Sequence, residues 1–98
     1  MPGRQGLSVL GEVDLTTHRR WERALESLLA ADTSARLDLS GLSFIDAYGA
    51  AALVAAAQRM TSDTTLTLYR PPLCLRRILD MLWPGELPVI TIEDEEAE

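Results

Sequence analysis

Lysine is absent from the 98 residues, and all nine basic residues are arginine. A catalytic or Schiff-base lysine is therefore excluded. Against 15 acidic residues the arginines leave a formal net charge of −6, with an isoelectric point near 4.7. Proteins that hold nucleic acid cluster basic residues against the phosphates. Neither nucleic acid nor an anionic membrane surface is an expected partner here. The single cysteine, Cys74, excludes an internal disulfide and fits a reducing cytoplasm. The single histidine, His18, has no second histidine or cysteine companion for a metal site. No nucleophile motif surrounds Cys74 or any serine, and no acid, base and nucleophile set can be assembled, so an enzyme is not expected. Walker and Rossmann glycine patterns are missing too, and no cofactor is expected. No apolar run approaches the roughly 20 residues that cross a bilayer. The first six residues carry no apolar core behind Arg4, so no secretory signal is expected.

What is present is an ordinary globular composition, 47% apolar, sized for one domain with one modest core. Residues 7–13, 35–39, 65–69 and 88–92 are apolar, β-branched or alternating, and predict strands. Trp21, Ala24, Leu25, Leu28 and Leu29 recur on one helical face after the capping residues Thr16 and Thr17. Residues 47–60, rich in alanine, predict a second helix. Pro71 and Pro72 open a third, whose apolar face is Leu75, Ile78, Leu79 and Leu82. Residues 40–43 read as a loop, 32–34 as the end of the first helix and 61–64 as a polar turn. Alternation of strand and helix predicts an α/β fold, a largely parallel sheet of about four strands packed by three or four helices. Residues 1–6 form a short extension, 7–92 the domain and 93–98 an acidic, disordered tail.

The stretch Phe44-Ile-Asp-Ala-Tyr-Gly49 is the chemical focus. Asp46 stands where a helix N-cap belongs and can accept from the orphan first-turn amides. Gly49 lets backbone approach closely, and the alanines that follow read as close packing. His18 is expected to face solvent in the first turn of its helix. Cys74, in the opening turn of the third helix, reads as a half-buried structural thiol, although a helix N-terminus lowers thiol pKa. Arg70, Arg76 and Arg77 are solvated arginines that could receive a carboxylate from a partner.

Leu37-Asp-Leu-Ser-Gly-Leu-Ser-Phe-Ile-Asp46 resembles the STAS family, the domains of bacterial anti-sigma factor antagonists and sulfate transporter tails. Gly11-Glu-Val-Asp-Leu15 is similar to that family's earlier G-E-L-D-L stretch. Thr67-Leu-Tyr-Arg-Pro-Pro72 is similar to its last strand running into the final helix. The resemblance spans about residues 7–92. It implies a small STAS fold and a function in protein–protein contact. In phosphorylation-regulated antagonists the sequence D-S-S-G stands here, and its second serine accepts phosphate from a serine-kinase anti-sigma factor. This chain has Asp46-Ala47-Tyr48-Gly49, so both serines are gone and Tyr48 holds the acceptor position. The extra N-terminal strand usual in the family is short or missing, which exposes a sheet edge that offers a route to a homodimer.

The resemblance implies a cytoplasmic, protein-binding bacterial regulator of transcription by partner switching. Its partner would be an anti-sigma factor of the serine-kinase type, or another STAS-binding protein, and serine phosphorylation would not gate the contact. The expected contact residues are Asp46, Tyr48 and Gly49, flanked by Ala47 and Ser43. Ser40 and Ser43 are the nearest remaining hydroxyls that could take phosphate instead. The alternatives are a scaffold or subunit role, in a stress-signalling assembly or beside a transport ATPase, and small-ligand or nucleotide binding at the helix N-terminus.

Overall fold

The computed structural model describes residues 5–31, 34–60, 64–84 and 90–94. Its elements, in chain order, are β1 (Gln5–Ser8), β2 (Gly11–Val13), α1 (His18–Ala31), β3 (Ala35–Asp38), β4 (Leu42–Ile45), α2 (Ala47–Gln58), β5 (Leu66–Tyr69), α3 (Leu73–Leu82) and β6 (Ile90–Glu93). The main sheet has the order β1-β3-β5-β6 and every pairing in it is parallel. Strand order follows chain order, so crossovers of one hand place α1, α2 and α3 on the same side. In agreement, α1 packs on α2 and α2 on α3.

Period-two alternation sorts the sheet faces. Ala35, Leu37, Leu66 and Leu68 are in register on one face and are all buried. They meet Leu25 and Leu28 from α1, Leu53, Val54 and Ala57 from α2, and Leu75 and Leu79 from α3 in a single core. On the other face Arg36 lies over the ring of Tyr69, 4.2 Å from its centroid, and pairs with Glu93 at 3.5 Å. The alternation of Ala35–Asp38 between apolar and charged residues is thus the alternation between core and open face.

Four local expectations are corrected. The first strand is not continuous over residues 7–13. It breaks at Val9–Leu10 into β1 and β2, with Gly11 at φ 86°, a left-handed conformation suited to glycine. The expected loop 40–43 is shorter, because β4 begins at Leu42 and pairs in parallel with β2. Leu42 and Ile45 supply the buried residues of that strand, and a four-residue segment with two exposed positions between them gives no clear period. The third helix starts at Leu73 with Pro72 as its N-cap, and Leu82 is 51% exposed rather than part of the buried face. The last strand runs to Glu93. The expected turns at Asp32–Thr33 and Thr61–Asp63, the residues from Gly85 to Val89, and the tail from Glu95 lie outside the described residues.

β1 is an edge strand with β3 as its single neighbour among the described residues. No described helix is long and apolar enough to cross a membrane.

Candidate functional site

The site is built at the point where β4 runs into α2. Asp46 takes extended backbone angles, φ −91° and ψ 178°, and its Oδ1 accepts from the Gly49 amide at 2.8 Å. This is the N-cap the sequence predicts, and it occupies part of the positive end of α2 with the protein's own carboxylate. The Asp46 amide in turn donates to the carbonyl of Val13 at 3.1 Å, which ties the cap to β2.

Gly49 is buried, and a Cβ there would lie 2.7 Å from Val13 Cγ1 and 2.9 Å from Ile45 Cγ1. Its carbonyl accepts from the indole Nε1 of buried Trp21 at 2.9 Å. Glycine is therefore required by close approach, and the first turn of α2 is bolted to α1. Ala50, Ala56 and Ala57 continue the buried stripe, consistent with small residues that let the helices come together.

His18 corrects the expectation that it faces solvent. Its side chain is only 14% exposed, and Nε2 sits 2.9 and 2.8 Å from the two carboxylate oxygens of Asp46. An Nε2–H donor is the role that this geometry requires. The reason is tertiary. α1 begins after a turn in which Thr17 Oγ1 donates to the carbonyl of Glu12 and accepts from the Asp14 amide. That turn delivers the first residue of α1 directly onto the cap of α2.

Tyr48 stacks on His18, with centroids 4.2 Å apart and planes 20° from parallel. Its hydroxyl donates to Glu22 Oε2 at 2.8 Å. Hydrogen bonding to the Glu22 carboxylate, followed by that group's charge, raises the phenol above its ordinary 10.0. The ring is held on its edge and on one face, yet Tyr48 is 57% exposed. Glu22 was not among the residues the sequence singled out, and neither was Trp21 except as core. Their signal was present, because Trp21 and Glu22 lie in the first turn after the histidine, but nothing local says what they meet.

Ala47, the first residue of α2, is exposed beside them. Ser43 is exposed on β4, but its hydroxyl is committed to the carbonyl of Gly11 at 3.0 Å. Ser40 donates to Asp38 Oδ1 at 2.6 Å, and this contact, with the Ser40 amide, lowers the Asp38 pKa below the ordinary 3.8. Cys74 is half-buried, as expected. Among the described residues no group of three or more metal-ligating side chains converges.

The arrangement can present a fixed aromatic and a capped helix end to another macromolecule. A small regulatory α/β domain that works through its surface is the class that fold and site define. A family model described as "Mlab, STAS domain" matches residues 2–83. The chain belongs to the STAS domain family, whose members mediate protein–protein interactions. No curated protein matches it.

Proposed function

We propose that the chain is an anti-sigma-factor-antagonist type of STAS domain, acting in the cytoplasm, whose partner contact is not gated by serine phosphorylation. The carrying observation is Tyr48 itself, exposed but clamped by His18 and Glu22 at the position where a switchable antagonist has serine. An aromatic held in one place before binding loses little conformational entropy on contact, and tyrosine is enriched among the residues that dominate interfaces. A phosphate on the Tyr48 hydroxyl would meet the Glu22 carboxylate that this hydroxyl now contacts, and the charge repulsion would break the clamp. Asp46 and Ala47 complete the contact face, with Ser43 at its margin; Gly49, expected from the sequence as a contact residue, is buried beneath them and supports the face from within. The domain acts by being bound, not by catalysis.

The same absence of a serine supports a second reading, a permanent subunit of a larger assembly such as a transport ATPase or a stress-signalling complex. A subunit that stays docked needs no phosphate switch. The capped N-terminus of α2 weighs against nucleotide binding, because Asp46 already takes the Gly49 amide.

Affinity capture from the host cytoplasm, with wild type and Tyr48→Glu compared side by side, tests the proposal. A serine-kinase anti-sigma factor retained by wild type and lost by the variant is the expected result. Retention of an ATPase or scaffold protein instead moves the second reading forward. A partner indifferent to Tyr48→Glu overturns the role given to the phenol.

A further inference from the structure

β4, the start of α2 and α3 border a shallow groove that is open to solvent. It has a volume of about 600 Å³ and is lined by Phe44, Ile45, Ala47, Leu73, Ile78 and Arg77, among others. Ile45 is fully buried and forms the floor. Phe44 is 42% and Leu73 59% exposed, and both large apolar side chains line this one depression. Phe44 belongs to a strand in which both neighbours of the outward pair, Leu42 and Ile45, are buried. Its exposure is therefore fixed by the strand rather than by a loose loop.

The polar groups around the groove call for one sign of charge. Arg77 is exposed and has no ion-pair partner among the described residues, in contrast to Arg76, which pairs with Asp94. Arg77 lies one helical turn beyond Leu73 on α3. α3 also begins without a side-chain cap, since its N-cap is Pro72. The Leu75 and Arg76 amides find the Pro72 carbonyl, whereas the Leu73 and Cys74 amides precede any intrahelical acceptor. The one carboxylate in the lining, Asp46, is already held by His18 and Gly49. A guanidinium and the uncapped end of α3 thus stand at an apolar groove on a chain whose net charge is −6.

We infer that this groove docks a partner-protein segment that pairs apolar side chains with a carboxylate. The apolar side chains fill the space between Phe44 and Leu73. The carboxylate pairs with Arg77 and caps the first amides of α3, a charge-assisted contact that neither group makes among the described residues. An open, shallow shape suits side chains projecting from a helix or loop better than an enclosed small molecule. The inference rests on the protein-docking reading above and adds where the partner seats and what chemistry it brings.

The test is a random peptide library displayed on phage and panned against the folded protein, followed by synthesis of the selected sequences. The expected winners combine apolar residues with Asp or Glu. Arg77→Glu should weaken their binding roughly tenfold or more. A peptide with its acidic residue changed to Arg should regain affinity for the Arg77→Glu protein. Because Arg77 is exposed and has no ion-pair partner among the described residues, the variant should keep the wild-type melting temperature, and Phe44→Ala provides an independent loss. Amide shifts in the nitrogen-labelled protein should map the peptide to residues 44–47 and 73–78. Selected peptides that lack an acidic residue overturn the inference, as does an empty selection. Peptides that shift Tyr48 and His18 while ignoring Arg77→Glu and Phe44→Ala also overturn it, but leave the Tyr48 docking reading standing.

Discussion

The ring of Tyr48 lies on the ring of His18, 4.2 Å between centroids, and the same imidazole grips both oxygens of Asp46. One residue at the start of α1 therefore fixes both the cap of α2 and the exposed phenol beside it. The two polar contacts at its far end, Asp46 to the Gly49 amide and Tyr48 to Glu22, complete a chain that links the first turns of both helices.

Asp46→Ala should cost about 1–2 kcal/mol of stability, the range for loss of a helix cap. It should also release His18 and leave Tyr48 without its stacking partner in a fixed position. Urea unfolding gives the first quantity. The aromatic proton resonances of Tyr48 report the second, and unchanged ring shifts would contradict the linkage.

Gly49→Ala should destabilise by about 1–3 kcal/mol, because the new methyl meets Val13 and Ile45 side chains at less than contact distance and both are buried. The same substitution at an exposed helical position would stabilise. A melting temperature equal to or above wild type would show that the Val13 and Ile45 side chains yield freely, against the close approach seen here.

Tyr48→Phe should remove the hydroxyl contact with Glu22 and with it an alkaline dependence of stability. The folded phenol pKa is raised above 10.0 by that carboxylate. A group raised in the folded state contributes stability that is fully present below its unfolded pKa and is lost as pH rises through the folded value. Wild type should therefore lose stability above pH 10 relative to Tyr48→Phe, read as a narrowing gap in melting temperature. Parallel curves across that range would exclude the contact.

At the acid limit the sign is opposite. Asp14 is held below the ordinary 3.8 chiefly by the hydroxyl and amide of Thr16, and Asp38 chiefly by the hydroxyl and amide of Ser40. Stability from these turns is present above the unfolded carboxylate pKa and is lost as pH falls through the lowered folded values. Thr16→Val together with Ser40→Ala should flatten the decline below about pH 4. Both residues are only half-buried, so the effect should be small and visible chiefly at low salt.

Much of the fold is legible along the chain because it rests on short-range rules. Alternation at Ala35–Asp38 and Leu66–Tyr69 places leucines on the core face, and the spacing from Trp21 to Leu29 gives α1. The Asp46 cap and the close approach at Gly49 are visible in six consecutive residues. β4 was less legible, since Leu42 and Ile45 are buried with two exposed residues between them, an i, i+3 spacing that breaks the strand period of two and imitates a helical face. The break between β1 and β2 was hidden for a related reason: Leu7–Val13 is apolar enough for one strand, and only the left-handed Gly11 shows where it bends.

The sequence by itself determined the α/β order, the cap at Asp46, the alanine helix behind it and the phenol in place of a serine, because each depends on residues a few positions apart. Tertiary structure alone decided that His18 is a clamp and not a solvated side chain, that Glu22 receives the Tyr48 hydroxyl, and that Phe44, Leu73 and Arg77 share one groove. Those partners lie 26 and 28 residues apart across the α1–α2 contact, or belong to different crossovers. Their meeting is set by how helices seat on a common sheet face, a packing geometry that no local periodicity encodes.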